Sequence, residues 1–338
     1  MDLDRNKKNR RLVSFAAISL IALTAAMSLL QVKYMKHQAE IDLYLENSTA
    51  FCSIPDIGSG FIPQGLSYLP DEDLILLTGY YGRGGSSPIY LVDRTRDYSK
   101  TLLMRTESGE SFHGHAGGIS VCGGRAYVAG STAGCMYGFP LEGLLCAPDG
   151  SAQNAELRIG LKSDDDFIRV SFTAAEGPLL FAGEFHKDPL FYTHASHAVD
   201  TPVGRQKAYL FGFELSEDGA VQPRVVYSIP DKAQGACFEG GYLFLSQTDS
   251  LFSARILTYA LDELRPAGTK TVLGAEVPLY ILTEKTAVKS RRIPPMSEEI
   301  LAVDGKLLIL YESAANRYRI GKRFGLDRVM ATPLDFFL

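Results

Sequence analysis

The amino-acid sequence predicts an all-β protein folded as a five-bladed β-propeller, closed by an N-terminal strand and preceded by a single transmembrane helix. Three features of the chain lead to this prediction. Two apolar strands joined by a tight turn recur five times. A third strand of one shape follows each copy. A charge-free segment near the N-terminus is long enough to span a bilayer.

The repeated unit is a β-hairpin whose turn is rich in Gly and acidic residues. The five copies are Gly65–Thr78, Gly118–Gly130, Ser171–Gly183, Gly235–Ser246 and Glu299–Tyr311. Their turns lie at Asp71-Glu72, Gly123-Gly124, Glu176-Gly177, Gly240-Gly241 and Asp304-Gly305, so successive turns are 52, 53, 64 and 64 residues apart. Self-similarity at a period near 50 residues is typical of radial β architectures. Each hairpin is therefore predicted to supply the two inner strands of one blade.

A third strand, a short apolar and aromatic run ending near an acidic residue, follows each hairpin. These runs are Ile89–Asp93, Met136–Glu142, Tyr209–Leu215, Ile256–Asp262 and Val329–Asp335. Fourth strands are predicted at Lys100–Thr106, Glu156–Leu161, Arg224–Ile229 and Thr271–Leu282. The last blade has no chain left for one, so Ala50–Asp56 is predicted to pair with it and close the ring. The two 64-residue steps leave an irregular sixth sheet open as an alternative.

The N-terminal 49 residues are predicted to place the propeller outside the cytoplasm. A basic tail, residues 1–11, precedes Leu12–Leu30, which has no charge and no proline and is predicted to be a transmembrane signal-anchor. The basic flank predicts a cytoplasmic N-terminus and an external C-terminal domain. Secretion after signal-peptide cleavage is the alternative, because Thr24-Ala25-Ala26 offers small residues for a peptidase. Residues 31–49 are predicted to form a helical stalk or linker, and residues 50–338 the propeller.

Composition excludes several functional classes. The net charge of -5 and the absence of a basic stripe argue against a nucleic-acid partner. Five cysteines without CxxC or Cys/His spacing predict neither a disulfide framework nor a zinc ribbon. The chain contains no GxSxG nucleophile motif.

Short phrases around the first strands carry a resemblance to known proteins. Pro63-Gln64-Gly65-Leu66 and Ala116-Gly117-Gly118-Ile119 each open a repeat with a glycine before the apolar run. Over residues 50–338 the chain resembles exported bacterial β-propeller proteins, loosely those of the NHL and lactonase-like kind. The resemblance implies an architecture and names no particular enzyme family.

One channel mouth is the predicted binding site. Loops that enter the inner strands and loops that leave the second strands meet there, and they are polar after purely apolar strands. The residues nominated for ligand binding are Gln64, His113, His115, Arg169, Glu184, His186, Gln234, Asp249, Glu298 and Glu312. We expect this mouth to bind an extracytoplasmic ligand or protein partner, since concave sites with convergent polar groups are the usual binding sites. Simple hydration of a channel is the competing interpretation, and a structural envelope protein without a small ligand is a further one.

A hydrolase acting on a glycan or lactone is the alternative function. Glu184, Asp249, Glu298 and Glu312 could supply paired carboxyl groups for such chemistry. The absence of Trp argues against sugar binding.

A divalent metal is the less favoured hypothesis for the histidines. His113 and His115, with His186 and Glu184 or Glu298, offer nitrogen and oxygen ligands. Hydrogen-bonded channel histidines are the favoured interpretation, so no metal ligand and no cofactor is assigned. Asp164–Asp166 is interpreted as a solvated acidic turn, and His194 and His197 are assigned no role.

Overall fold

The computed structural model describes residues 37–338 except 97, 132, 164–165, 249–252 and 319–323, together with residues 18, 19, 21, 22, 24, 25, 27, 28, 32 and 35. Its strands form five sheets arranged as the blades of a propeller, with a small separate hairpin at Val199–Thr201 and Gly204–Gln206. The five repeated hairpins supply the two inner strands of the five blades, as the sequence predicts.

The blades differ in their number of strands. From inner to outer strand, blade one contains Phe61–Leu69, Leu74–Tyr81, Pro88–Asp93, Tyr98–Arg105 and Ala152–Asn154. Blade two contains Ala116–Cys122, Arg125–Gly130, Cys135–Pro140 and Leu157–Gly160. Blade three contains Phe172–Glu176, Leu179–Gly183, Ala208–Leu215, Val221–Ile229, Ala275–Ile281 and Gly268–Val272. Blade four contains Ala233–Glu239, Tyr242–Thr248, Ala254–Ala260 and Lys289–Ile293. Blade five contains Ser297–Val303, Lys306–Tyr311, Arg328–Pro333 and Thr49–Ser53.

The N-terminal strand closes the ring. Thr49–Ser53 pairs antiparallel with Arg328–Pro333, the third strand of the last blade, with Thr49 opposite Ala331 and Ser53 opposite Arg328. This is the closure that the sequence predicts. The first and last parts of the propeller are thereby held in one sheet, which covers the edge that blade five would otherwise expose.

The fourth strand of blade four is not where the sequence places it. The predicted run Thr271–Leu282 is split by a turn at Leu273-Gly274, where both residues have positive φ. The resulting hairpin joins the outer edge of blade three, where Ala275–Ile281 runs parallel to Val221–Ile229. Blade four is completed by Lys289–Ile293 instead. Three of its five residues are basic, so it carries no run of apolar or β-branched residues to mark it as a strand.

The hydrophobic core lies between successive blades. Leu77 of blade one packs in the same buried cluster as Leu308 of blade five. Phe181 of blade three meets Phe238 of blade four, with ring centroids 4.5 Å apart. Corresponding clusters fill the other blade interfaces. Each sheet is therefore stabilised by burying both of its faces against its neighbours.

A helix at Gln38–Glu46 packs on the propeller. Ile41 and Tyr44 are fully buried, and the Tyr44 ring lies 6.2 Å from Phe336 and 6.5 Å from Phe337, measured between centroids. The end of the predicted stalk is therefore part of the folded domain and differs from a free spacer. A second short helix spans Leu141–Cys146, and 3₁₀ turns lie at Ala195–His197, Leu261–Glu263, Asn316–Tyr318 and Leu334–Phe336.

The predicted transmembrane segment, residues 12–30, lies largely outside the described residues. Among the positions that the structure does describe, no helix has both the length and the apolar character needed to cross a bilayer. All five cysteines lie in the described part and are unpaired thiols.

Candidate functional site

Irregular pairing of the inner strands shapes one mouth of the propeller. The register between first and second strands shifts in blades one, two, four and five, at Pro63/Gly65, Ala116/Ile119, Ala233/Gly235 and Ser297/Ile300. A β-bulge re-aims side chains and is common next to functional sites. Gln64, Gln234 and Glu298 stand at three of these bulges, and all three line the mouth.

Glycines bring the inner strands together below the mouth. A Cβ atom at Gly117 would lie 2.0 Å from the backbone oxygen of Ser171, and one at Gly235 would lie 2.7 Å from the Cα of Glu299. Such distances are incompatible with any side chain, so only glycine permits this approach. The buried Glu299 carboxylate fills the remaining space and accepts a hydrogen bond from the backbone N–H of Ala236 at 3.2 Å. The inner part of blade two is thus in close contact with blade three at Gly117, and that of blade four with blade five at Gly235.

The mouth is a cavity of about 760 Å³. Its volume falls within the usual range for small-molecule sites, roughly 300–1,000 Å³. Seven of the ten nominated residues line it: Gln64, His113, His115, Arg169, Gln234, Glu298 and Glu312. The other lining side chains include Tyr80, Tyr81, Ser131, Phe185, Lys187, Phe191, Met296, Arg317 and Tyr318.

Two nominated residues do not reach the mouth. Glu184 is fully buried, accepting hydrogen bonds from His197 Nδ1 at 2.8 Å and from the backbone N–H groups of Arg169 and Tyr209, both at 3.2 Å. His186 is buried behind the wall, with Nδ1 3.0 Å from the Thr193 hydroxyl. Both side chains point toward hydrogen-bond partners within the protein, which the sequence spacing does not reveal. Asp249, the remaining nominated residue, lies outside the described residues.

A pair of glutamates forms the polar centre of the cavity. Gln64 Nε2 donates to Glu312 Oε2 at 3.2 Å, and Gln234 Nε2 donates to Glu298 Oε1 at 3.3 Å. The two carboxyl groups are close enough to influence each other's pKa. Burial, followed by the neighbouring Glu312 charge, raises the pKa of Glu298 well above its usual range. Burial likewise raises the pKa of Glu312 to about 7. The pair therefore holds at least one proton at neutral pH.

A histidine that lines the same cavity is neutral at pH 7. The His115 ring packs against Tyr80 with centroids 4.6 Å apart, and the Tyr80 hydroxyl accepts a hydrogen bond from Arg317 Nη1 at 3.1 Å. Burial, with the charges of Arg317 and Arg169, lowers the pKa of His115 to about 4. His115 therefore offers one donor and one acceptor at pH 7 without adding charge.

Among the described residues that line the cavity, positive charge exceeds negative charge near neutral pH. Arg169 and Arg317 line it, whereas the two glutamates together carry at most one negative charge while the pair retains a proton. Aromatic side chains form the apolar part of the wall, and the Arg169 guanidinium lies 5.8 Å from the centre of the Phe191 ring. Such a wall can hold a flat ring while the cations bind an anionic group.

Several lining residues were not nominated from the sequence. Arg317 and Tyr318 lie in the long connection between the second and third strands of blade five, residues 312–327. The length of this connection was the available signal, because long loops on a rigid β scaffold are often functional. Lys187 and Phe191 lie in the loop 185–206, of which only the histidines were considered from the sequence.

We expect Glu312→Gln to stabilise the protein at about pH 8. Raised folded pKa values mean that the native state binds protons more tightly than the unfolded chain. The contribution of the pair to the free energy of unfolding is therefore largest below about pH 4.5, and it is lost as the pH rises through about 7. The neutral amide removes this loss, which is of the order of 2 kcal/mol, since one pKa unit is worth about 1.4 kcal/mol.

The measurement is the thermal midpoint of both proteins between about pH 5 and pH 8. The variant gains at the alkaline end and matches the parent at the acidic end. Glu72→Gln, at an exposed turn, is the control and leaves the profile unchanged. A parallel shift at every pH would show that the pair does not titrate in this range.

A second, smaller cavity lies beside blades three and four. Its volume is about 410 Å³, and it is lined by Gln206, Gln247, Arg255, Glu284 and Arg292 among others. Arg255 and Glu284 pair with each other across it. The mouth cavity is larger and contains the nominated residues, so it is the candidate site.

The histidines considered as metal ligands do not come together. His113 and His115 line the mouth, whereas His186 is buried behind it. Within the described parts of the chain, three possible metal ligands converge at Asp166, His194 and His197. Asp166 thus contacts two histidines, which differs from the solvated turn that the sequence predicts.

Comparison with known proteins supports no family assignment. No family model matches the chain, and no curated protein matches it in sequence. One similar solved structure is a nidogen–laminin complex, with 10% identity over 78% of this chain and 75% of the matched chain, and a TM-score of 0.44. Another is the PQQ-bound aldose sugar dehydrogenase from Streptomyces coelicolor, with 14% identity over 84% and 95% of the two chains and a TM-score of 0.43. Because both TM-scores are low, the propeller assignment depends on the strand order of this chain itself.

Proposed function

We propose that this propeller binds a small organic anion carrying a ring in the mouth cavity. The observation that carries the proposal is the imbalance of charge among the described residues of a cavity whose wall includes several aromatic side chains. Arg169 and Arg317 line the cavity, while His115 is neutral and the glutamate pair retains a proton. Cations with planar side chains bind carboxylate and phosphate groups by paired hydrogen bonds.

We also propose that the binding domain lies outside the cytoplasm of a bacterial cell. It is supported by the basic residues of the tail and by the apolar run Leu12–Leu30 that follows them. The segment would anchor the protein in the membrane as a single pass, with the propeller external. Secretion after cleavage of the segment is the alternative. A nucleic-acid partner is not proposed, because the sequence shows no basic stripe.

Matched pairs of anion and neutral analogue test the binding proposal. The panel contains aryl and sugar carboxylates with their neutral counterparts, beginning with 4-bromobenzoate against 4-bromobenzamide and D-glucuronate against D-glucose. A ligand that binds only the native state raises the thermal midpoint. We expect the anions to raise it more than the neutral partners do. Equal shifts for both members of every pair would contradict the proposal.

Hydrolysis of a lactone is the second candidate function. Glu298 and Glu312 are both buried, and each influences the pKa of the other. In lactone cleavage, one carboxylate would activate water for attack on the carbonyl, and the protonated carboxyl group would donate a proton to the leaving oxygen. The product would be an organic anion, which suits the positive cavity. The assay is hydrolysis of dihydrocoumarin. Turnover that Glu312→Gln abolishes would establish an enzyme, and its absence would leave binding alone.

A further inference from the structure

Two histidines of the loop 185–206, His194 and His197, come together with Asp166. His197 Nε2 lies 2.9 Å from Asp166 Oδ1, and His194 Nδ1 lies 3.2 Å from the same oxygen. The donor atoms of the three residues all lie within 4.8 Å of one another. His194 Nδ1 also lies 2.9 Å from the Ser196 hydroxyl, and it accepts a hydrogen bond from the backbone N–H of Ser196 at 3.4 Å.

Two of these atoms, Asp166 Oδ1 and His197 Nε2, are buried and lie 2.9 Å apart, yet neither makes a hydrogen bond of normal geometry. The His197 side chain is 0% exposed. His197 Nδ1 is 2.8 Å from the Glu184 carboxylate, so the Nδ1 proton is donated there. This leaves the lone pair of Nε2 facing a carboxylate oxygen in the protein interior. A nitrogen lone pair and a carboxylate oxygen at this separation are satisfied either by a proton on the nitrogen or by a metal ion bound to both atoms.

We propose that Asp166, His194 and His197 bind one divalent transition-metal ion of the zinc type. Two imidazoles and one carboxylate form a donor set that such ions accept, with positions left for water. Ligand atoms about 2.1 Å from a metal are about 3.0 Å apart at a right angle and about 3.4 Å apart at the tetrahedral angle, and both separations from Asp166 Oδ1 agree with this range.

Glu184 supports the site from behind. A histidine that binds a metal usually donates its other N–H to a carboxylate, which fixes the tautomer and the ring orientation. Glu184 accepts from His197 in this manner, and it is itself held by the backbone N–H groups of Arg169 and Tyr209. Tyr209 also stacks on the His197 ring, with centroids 5.0 Å apart. The nominated residue Glu184 therefore has a positioning role here and not at the mouth.

The ion would fasten a wall of the mouth cavity to blade three. Lys187 and Phe191 line the cavity and belong to the same loop as His194 and His197. Arg169 Nη1 contacts the backbone oxygen of Tyr192 at 3.4 Å. Metal binding would therefore order the loop that carries part of the anion site.

Cobalt titration of the full-length chain, stripped with EDTA, tests this site. We expect one Co²⁺ per chain, detected by its visible absorption and displaced by Zn²⁺. His194→Ala is expected to weaken Co²⁺ binding at least tenfold, and Glu184→Gln by about 10- to 100-fold, the usual effect of losing such a supporting group. His194 is partly exposed, so the alanine variant should fold, and its thermal midpoint in EDTA checks this.

His37→Ala removes a histidine on the N-terminal helix segment, far from the cluster in sequence, and is expected to bind Co²⁺ as the parent does. The proposal is overturned if the parent takes up no stoichiometric Co²⁺ or Zn²⁺, or if His194→Ala binds as tightly as the parent. In either case a proton shared among His197, Asp166 and Glu184 would replace the metal.

Discussion

Replacing Gly117 by alanine is expected to lower the free energy of unfolding by about 3 kcal/mol, the upper end of the usual cost of overpacking. The added Cβ would lie 2.0 Å from the backbone oxygen of Ser171 and 2.6 Å from Ser131 Oγ. A side-chain hydroxyl can rotate away, but a strand backbone cannot. Blades two and three must therefore move apart at the channel. Thermal unfolding measures the effect, at about 2–4 °C for each kcal/mol in a domain of this kind.

Gly160→Ala is the matched control for this prediction. Gly160 lies in the outer strand of blade two, and the nearest atom to its added Cβ is 4.0 Å away. We expect a change within about 0.5 kcal/mol, as for most surface substitutions. Equal destabilisation by the two substitutions would mean that close approach of the inner strands does not stabilise the ring.

Replacing Arg169 by glutamine is expected to weaken 4-bromobenzoate binding by about 10- to 100-fold. Hydrogen bonds to charged groups contribute about 1.5–3 kcal/mol, and about 1.4 kcal/mol corresponds to a factor of ten in affinity. The neutral 4-bromobenzamide should bind the variant and the parent equally. Isothermal titration calorimetry measures both ligands on both proteins.

Arg96→Gln is the control for the arginine substitution. Arg96 is 82% exposed on the outer part of blade one, where it lies 3.4 Å from Asp93 and outside the residues that line the cavity. Its loss should leave both affinities unchanged. An equal loss for acid and amide in Arg169→Gln would show that Arg169 shapes the cavity without binding the anionic group.

Local sequence patterns predicted the blades because each inner strand carries its own signal. Apolar runs and turns such as Gly123-Gly124, where both residues have positive φ, determine a hairpin without distant contacts. The closing strand was predicted because too few residues follow the third strand of blade five to form a fourth strand there. Lys289–Ile293 was missed because its pairing partner, Ala254–Ala260, is what makes it a strand.

The candidate site was predicted in part for a related reason. Gln64, Gln234 and Glu298 stand next to glycines or at bulges of inner strands, so their position along the chain also fixes their position at the mouth. Glu184 and His197 form their hydrogen bond only after the loop between them folds back on blade three. Spacing in the sequence gives the length of such a loop but not the partners of its side chains.

The most direct measurement is a crystal structure of the protein with 4-bromobenzoate, using the anomalous signal of bromine to locate the ring. Anion binding at the mouth predicts a bromine peak among Tyr80, Phe191 and Tyr318, with the carboxylate within hydrogen-bond distance of Arg169 or Arg317. A peak confined to the second cavity, or a carboxylate pointing away from both arginines, would contradict this account.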